Sequence, residues 1–496
     1  MLNSASLLAV SLLAQAATAE TVLGAYIFSR HGDRTSKSTP PTVLTDLGYS
    51  QVYSSGRYYR DRYISSSSSS QVLGISPNII SPGEITASAP QDEVLQKSAL
   101  AFFQGLYPPA GKEAKTTLRN GTVVEAPMDG YQLVAIEQVK SGSNSENVAW
   151  LQSASACKNA KISSNDYFAS KEYKDLLKSS EGFYEDVAPL VKDTIVAEKV
   201  NFKNAYTVFD LLNVASIHNS SDSFPSLSSE VYSQLQSLAN IHEFGLAYNA
   251  SEPIRAVSGA LLAGEVLNSF MDTIKAPKTK PKVNVQFGAY ATFLSFFGLT
   301  KLPTANHDFN GIPDYASTMV FELVTNASTS SGSFPAESEI SVRFLFHNGT
   351  TIAGSPETEP TAYPLFGQEK ALLPWFEFVS HMKEIAITSQ DQWCQACGTA
   401  SEGCPGAPSS SGASGHSTSS NSDSGVSRPV AGVIGALVTL SVILGVQALV
   451  FFVGGFTITR KTINDINEMI YINVTLKPYI QIFYIDSTPV AMELGT

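Results

Sequence analysis

An apolar, β-rich segment near the start of the chain runs directly into a short basic motif. Thr21–Phe28 has the composition of a buried strand, and Arg30–Thr35 follows it with the sequence RHGDRT. Open α/β sheets bind ligands at the carboxyl ends of their strands. The order of strand and motif therefore predicts an α/β fold with an anion site at the end of its first strand.

The residue types of this motif suit phosphate chemistry. Arg30 and Arg34 flank His31, and each guanidinium offers a planar fork of donors that matches phosphate oxygens. A neutral imidazole between them can attack phosphorus and carry the phosphoryl group covalently. Gly32 lets the backbone approach the anion closely. The alternative structural interpretation is a surface turn whose side chains form salt bridges.

Periodicity extends the α/β prediction along the chain. Helical spacing covers Leu44–Tyr63, Gln96–Leu106, Ile254–Ile274 and Thr292–Gly298, and further strands are predicted at Lys282–Phe287, Met319–Thr325 and Ile340–His347. A helix-rich stretch, residues 157–252, separates the early and late elements. We predict an α/β domain with an inserted, mostly α-helical domain.

The N-terminus and the sequons predict export. Met1–Ala19 has a short apolar run and an Ala-Thr-Ala cleavage pattern, typical of a signal peptide; the alternative is an ordinary buried strand or helix. The ectodomain would then be residues 20–404. Within this ectodomain, five Asn-x-Ser/Thr sequons predict N-glycosylation, at Asn120, Asn219, Asn249, Asn326 and Asn348.

The cysteines agree with an oxidising compartment. Two disulfides with three possible connectivities are predicted among Cys157, Cys394, Cys397 and Cys404. The spacing of Cys394 and Cys397 also occurs in metal and redox sites, but the sequence offers no matching second pair, so neither a metal site nor a cofactor is predicted. The net charge of -12 comes without a basic stripe, which disfavours nucleic acid as a partner.

The C-terminal part predicts a membrane attachment. Residues 405–428 form a stalk rich in Ser and Gly, and residues 429–459 contain no charged residue, which is long enough for one transmembrane helix. Residues 460–496 would form a cytoplasmic tail that begins with Arg460 and Lys461. The predicted location is the cell surface, as a single-pass type I protein with an exterior N-terminal domain. The alternatives are a glycosylphosphatidylinositol anchor or the cell wall.

Several motifs together resemble one family. The segment VLGAYIFSRHGDRT at residues 22–35 resembles the opening of the histidine acid phosphatases, which include fungal phytases. Further resemblances follow in order: Leu44–Gly48, Ala99–Pro109, Gly259–Met271 and Pro313–Leu323. The resemblance implies a phosphoglycerate mutase-like α/β sandwich and a two-step hydrolysis of phosphomonoesters. It also implies that His31 is the nucleophile and that Arg30 and Arg34 bind phosphate.

The sequence departs from the family pattern at two places. The third arginine of the family aligns with Ser88, and the His-Asp pair that follows a later strand aligns with Tyr290 and Ala291. A His307-Asp308 pair occurs further on, and Asp308 would be the acid if its loop folds back over the strand ends. Tyr290 would donate a hydrogen bond to bound phosphate.

These departures leave two hypotheses. A general acid contributes about 10²–10⁴-fold, and one preorganised donor about 10²–10³-fold, so turnover through His31 is expected to be weak. The alternative is a catalytically inactive member that binds phosphorylated ligands at the surface or serves as a cell-wall glycoprotein. The partner in either case is phosphate or a phosphorylated small molecule. Phytate is disfavoured as the substrate, because the helix-rich stretch has few clustered Lys or Arg residues.

Overall fold

The computed structural model describes residues 20–139, 157–219, 227–329, 334–398 and 404. These residues fall within the predicted ectodomain. The predicted signal peptide, stalk, transmembrane helix and tail lie outside them. Within the described ranges, no helix has the length and apolarity needed to cross a bilayer.

Strands and helices alternate at both ends of the described chain. The strands are β1 (Thr21–Arg30), β2 (Ile85–Pro90), β3 (Lys115–Thr117), β4 (Val123–Glu125), β5 (Glu137–Val139), β6 (Val283–Gly288), β7 (Thr318–Thr325), β8 (Ile340–His347), β9 (Thr361–Ala362) and β10 (Leu372–Pro374). The helices are α1 (Asp46–Tyr59), α2 (Glu93–Leu106), the single turn α3 (Pro127–Gly130), α4 (Lys158–Ala169), α5 (Lys171–Ser179), α6 (Glu181–Val191), α7 (Ala205–His218), α8 (Ser229–Ala247), α9 (Val257–Lys275), α10 (Tyr290–Leu299), α11 (Trp375–Ile385) and α12 (Gln390–Cys397). The four predicted strands and four predicted helices match β1, β6, β7, β8 and α1, α2, α9, α10.

The strand β1 lies inside an eight-stranded sheet. The strand order is β10-β8-β7-β1-β6-β2-β5, and β9 pairs with β8. The strands β1, β6, β2 and β5 are parallel, whereas β7, β8 and β10 pair in the antiparallel sense. Arg30 pairs with Gly288 at the ends of β1 and β6. The residues that follow these two strands, His31 and Tyr290 among them, therefore emerge at the same edge of the sheet.

Both faces of the sheet are covered, which explains why β1 is apolar along its whole length. One face packs against α1 and α2, where the Phe102 ring lies 5.6 Å from that of Phe287. The other face packs against α9 and α10, where the Phe28 ring lies 5.1 Å from that of Phe293. Helices α4–α8 join this second layer, and the described residues between 157 and 252 contain no strand. The arrangement is a mixed α/β fold that fits a phosphoglycerate mutase-like domain.

A carboxylate is buried in the middle of the sheet and neutralised by two arginines. Glu322 on β7 has no solvent exposure, and it accepts hydrogen bonds from Arg62, Arg343 and the Tyr63 hydroxyl. Burial opposes ionisation, but Arg62 and Arg343 outweigh it and hold the pKa of Glu322 below its ordinary value. This network joins the helical turn that follows α1, Arg60–Ile64, to the neighbouring strands β7 and β8.

Two disulfides select one of the three predicted connectivities. Cys157, just before α4, is bonded to Cys397 at the end of α12, and Cys394 is bonded to Cys404. The four cysteines are buried together with Trp393 and Leu261. The disulfides therefore tie the last described helix to the start of the helix-rich stretch.

Candidate active site

The basic motif is fixed by backbone contacts to a neighbouring loop. The Arg30 amide donates to the Ser317 carbonyl at 2.9 Å, and the Ala316 amide donates to the His31 carbonyl at 2.9 Å. Ala316 has a φ of +62°, so this loop turns sharply beside the motif. Residues 313–317 thus lie directly against the end of β1.

A second contact ties the motif to the start of α1. A Cβ atom on Gly32 would lie 2.2 Å from the Gly48 carbonyl oxygen, and one on Gly48 would lie 2.0 Å from the Asp33 carbonyl oxygen. Side chains at either position would force the two segments apart. Thr45 caps α1 by accepting from the Gly48 amide, and its hydroxyl donates to Asp33. The motif and the helix therefore form one unit.

The His31 ring is held by a contact to the backbone of its own motif. Its side chain has no solvent exposure, and Nδ1 lies 2.8 Å from the Gly32 carbonyl oxygen. Because a carbonyl oxygen only accepts, Nδ1 carries the proton and the lone pair belongs to Nε2. The ring lies 5.5 Å from the Tyr315 ring. This tautomer is the one required for attack by Nε2 on phosphorus.

Arg30 lies beneath two tyrosines. Its guanidinium carbon is 4.5 Å from the centre of the Tyr315 ring and 5.5 Å from that of Tyr290. Nη1 donates to the Pro313 carbonyl, and the residue is 4% exposed. Arg30 is therefore held at the end of β1 with its planar face covered.

Arg34 is engaged by helix α7. Nη1 donates to Asp210 at 3.0 Å, and Nη2 donates to the Tyr206 hydroxyl at 3.0 Å. The second oxygen of Asp210 accepts from the Ser36 hydroxyl and the Lys37 amide. The guanidinium that the sequence assigns to phosphate is thus paired with a protein carboxylate.

The same helix contacts Asp33. Nε2 of His218, the last residue of α7, lies 2.6 Å from Asp33 Oδ1, and Asp33 is fully buried. Neither Asp210 nor His218 was predicted, because no sequence motif in the helix-rich stretch points to them. Asp210 had one detectable signal, since it is a single carboxylate within the apolar sequence VFDLL, and a buried charge requires a partner.

Tyrosines and a lysine complete the cluster. The rings of Tyr206 and Tyr290 are 4.7 Å apart, and Lys37 Nζ lies 5.3 Å and 5.5 Å from their centres. Burial raises the pKa of Tyr206 well above its ordinary value and that of Tyr315 to about 12, so both phenols keep their protons. Ser88, which aligns with the third arginine of the family, lies on β2. Lys37 thus adds a third cationic side chain to this cluster.

The structure gives different surroundings to the remaining predicted residues. The Tyr290 hydroxyl donates to Glu243 at 2.8 Å. Asp308 lies in a short 3-10 helix, His307–Asn310, and is exposed. It lines a cavity of about 920 Å³ to which none of His31, Arg30 and Arg34 contributes. Asp308 and His31 are therefore not brought together.

A smaller cavity lies in front of Arg30. Its volume is about 40 Å³, and its lining includes Arg30, Asp210, Asp314 and Tyr315. A single water needs about 10–15 Å³ measured in this way, so the cavity holds only a few waters. Among the described residues, no group of three or more His, Cys, Asp or Glu side chains is arranged to hold a metal ion. A bound phosphoryl group would thus rest on cationic side chains and would displace neighbouring groups.

Comparisons with known proteins identify the family of this chain. The model of the histidine phosphatase superfamily, branch 2, matches residues 38–347. No curated protein matches the chain. The solved phytase of Citrobacter braakii superposes with a TM-score of 0.50 at 14% identity and covers 74% of this chain and 98% of its own.

Two other phytases are similar to the same extent. That of Klebsiella sp. ASR1 gives a TM-score of 0.50 at 12% identity, over 74% of this chain and 95% of its own. The Hafnia alvei phytase without ligand gives a TM-score of 0.50 at 13% identity, over 76% of this chain and 98% of its own. At these identities the likeness shows the fold alone. Because the family model matches more than half of the sequence, however, the chain belongs to branch 2 of the histidine phosphatase superfamily.

Proposed function

We propose that this protein hydrolyses phosphomonoesters slowly, through a phosphohistidine on His31. The observation that carries this proposal is the His31 tautomer, in which Nδ1 donates to the Gly32 carbonyl at 2.8 Å. Arg30 and Arg34 lie on either side of this residue in the motif. Membership of the family supports the same chemistry.

The reaction would take place in two displacements. His31 Nε2 forms a bond to phosphorus, and the bond from phosphorus to the ester oxygen breaks, so that the leaving oxygen takes a proton and departs as the alcohol. With no acid at the position of the family's His-Asp pair, water supplies this proton unless a side chain elsewhere in the site donates it. Water then attacks the phosphohistidine, the bond from phosphorus to Nε2 breaks, and inorganic phosphate is released. Arg30 and Arg34 would stabilise the charge on the phosphoryl oxygens in both steps.

Three features support slow turnover. Asp210 holds Arg34, so substrate has to compete with a buried carboxylate. Serine stands at the position of the third arginine, and Tyr290 and Ala291 stand at the positions of the His-Asp pair. Each missing contribution is worth about 10²-fold or more.

The second candidate function is binding without catalysis, at the cell surface or in the cell wall. It is favoured by one specific observation: His31 has no solvent exposure, and the cavity beside Arg30 measures only about 40 Å³. In this case Arg30 and Lys37 would retain an anion, and His31 would have a structural role.

A His31 variant separates the two functions. The full chain and His31→Ala would be assayed with an aryl phosphate from about pH 3 to pH 7, together with acid-labile labelling of the protein by radioactive substrate. We expect a rate loss of at least about 10²-fold and loss of the label in His31→Ala. Equal rates in the two proteins would contradict hydrolysis and leave the binding function.

We also propose that the protein is exported and attached to the membrane by one helix at residues 429–459, with a lipid anchor or the cell wall as alternatives. Two disulfides support an oxidising compartment. Of the five sequon asparagines, Asn249 is partly buried and the other four are exposed. A mobility shift after glycosidase treatment, with sedimentation in the membrane fraction, would test this location.

A further inference from the structure

The loop beside the motif carries a carboxyl group that the proposed mechanism has not yet used. Asp314 lies between Pro313, whose carbonyl accepts from Arg30, and Tyr315, whose ring covers Arg30 at 4.5 Å. Its own carbonyl accepts from the Ser317 hydroxyl at 2.6 Å. The backbone of Asp314 is therefore held on both sides by contacts to the end of β1 and to the turn that follows.

Other carboxyl groups around the motif are already engaged. Asp33 accepts from Thr45 and lies against His218 Nε2. Asp210 is paired with Arg34 and accepts two further hydrogen bonds. Glu243 accepts from the Tyr290 hydroxyl at one oxygen and lies against His242 at the other. Asp210 and Glu243 thus have both oxygens engaged, whereas Asp33 has both of its contacts at Oδ1, lacks a hydrogen-bond partner at Oδ2 within the described part of the chain and is fully buried. A fully buried carboxyl group has no direct contact with solvent through which to exchange a proton.

Asp314 has a different environment. It lines the small cavity together with Arg30 and Tyr315, and its outer side is exposed to solvent. Among the described residues, its carboxyl group accepts one long hydrogen bond, from Asn348 at 3.3 Å. The carboxyl group of Asp314 thus lies beside Arg30 in the small cavity and is also open to solvent.

We infer that Asp314 is the general acid of this site and replaces the aspartate missing at Ala291. The inference rests on the proposed function. As His31 Nε2 bonds to phosphorus, the Asp314 carboxyl proton passes to the ester oxygen, and the alcohol leaves neutral. In the second step the Asp314 carboxylate takes a proton from the attacking water, which restores the acid as phosphate is released.

The pKa of Asp314 is raised in spite of its cationic neighbours. Desolvation raises the pKa of Asp314, while Arg30 on β1 and His347 on β8 oppose the rise. Tyr232 on α8 faces the same carboxyl group, and the pKa of its own phenol is raised by burial and by Asp314. Asp314 therefore keeps its proton to a higher pH than an ordinary aspartate.

Leaving-group dependence tests the inference in the full chain. Single-turnover rates of leaving-group release, which report the first step alone, would be measured for Asp314→Asn and the parent. The two esters are glycerol phosphate, whose alkoxide needs a proton, and dinitrophenyl phosphate, whose phenolate does not. We expect a loss of about 10²–10⁴-fold on glycerol phosphate and less than about threefold on dinitrophenyl phosphate. Retained rates on the second ester also show that the variant is folded.

Control variants make the outcomes distinct. Asp175→Asn changes an exposed aspartate on α5 and is expected to match the parent on both esters. Equal losses on the two esters in Asp314→Asn, or no loss on either, would overturn the role of Asp314 but not the proposed function. The same holds if Asp308→Asn, and not Asp314→Asn, shows a loss that depends on the leaving group. If the parent shows no turnover that depends on His31, both this inference and the proposed function fail.

Discussion

Arg34 and Asp210 form a buried ion pair across the motif, with 3.0 Å between Nη1 and Oδ1 and side chains that are 0% and 2% exposed. Arg34 belongs to the phosphate motif, and Asp210 belongs to a helix of the predicted insertion. An incoming phosphate would meet a guanidinium whose charge is already balanced. A residue outside the motif therefore balances the charge of one of its two arginines.

Removal of this carboxylate should increase anion affinity. In Asp210→Asn, Arg34 keeps a neutral hydrogen-bond partner but regains its uncompensated charge. We expect phosphate to bind at least about tenfold more tightly, which corresponds to about 1.4 kcal/mol. Isothermal titration of the full chain with phosphate measures this change.

The same variant should lose stability, because one partner of a buried ion pair is removed. We expect the free energy of unfolding to fall by about 3–5 kcal/mol, and added phosphate to restore part of it. Asp175→Asn is the matched control, since Asp175 forms an exposed pair with Lys171. Unchanged phosphate affinity in Asp210→Asn would contradict this account of Arg34.

Asp314 predicts a specific pH dependence. A general acid works only while it is protonated, so kcat on an alkyl phosphate should fall as the pH rises through the pKa of Asp314. Desolvation raises this pKa against the opposing effect of Arg30, and the fall should begin at a higher pH than for an ordinary aspartate. A pH–rate profile of Asp314→Asn should lack this fall, and its persistence would contradict the assignment.

Glu322 predicts a second pH effect, on stability. In the folded state the pKa of Glu322 is lowered, against the effect of burial. The ionised carboxylate therefore contributes to the free energy of unfolding above the ordinary glutamate pKa, and this contribution is lost as the pH falls through the folded-state pKa. Glu322→Gln should reduce the free energy of unfolding by about 3–5 kcal/mol at neutral pH.

Urea unfolding at several pH values measures this difference, which should shrink below about pH 4. Glu93→Gln is the control, because Glu93 and Lys97 form an exposed pair worth less than about 1 kcal/mol. A pH-independent difference between parent and Glu322→Gln would contradict an ionised carboxylate at this position.

The two disulfides should contribute unequally. Cys157 and Cys397 are 240 residues apart, whereas Cys394 and Cys404 are 10 residues apart. Loop entropy in the unfolded chain predicts that replacing the first pair by alanine costs about 3 kcal/mol more than replacing the second. Denaturant unfolding of the two double variants checks this ranking, and equal losses would contradict it.

The strands of the sheet could be predicted where they form continuous apolar runs in the sequence. β1, β6, β7 and β8 are apolar runs, because they are covered on both faces. β2 was not predicted, since its sequence ITASAP is short and weakly apolar. Its strand conformation depends on pairing with β6 and β5, which lie far away in the sequence.

The site could be predicted only in part. Local sequence identifies Arg30, His31 and Arg34, because their chemistry depends on adjacent positions. Asp210 and His218 reach the motif through the packing of α7, and no pattern within that helix encodes its partner. The same reason explains why Asp308, a match by residue type, lies at another cavity.

The contacts of α7 have a consequence for how such proteins diversify. Tyr206, Asp210 and His218 on this one helix meet the motif segment, while the strand that carries His31 is fixed by the sheet. Substitutions in this one helix would therefore change how strongly Arg34 and Asp33 are engaged by the protein without altering the motif itself. In related chains that share an identical motif, variation in this helix would then distinguish efficient enzymes from catalytically inactive proteins.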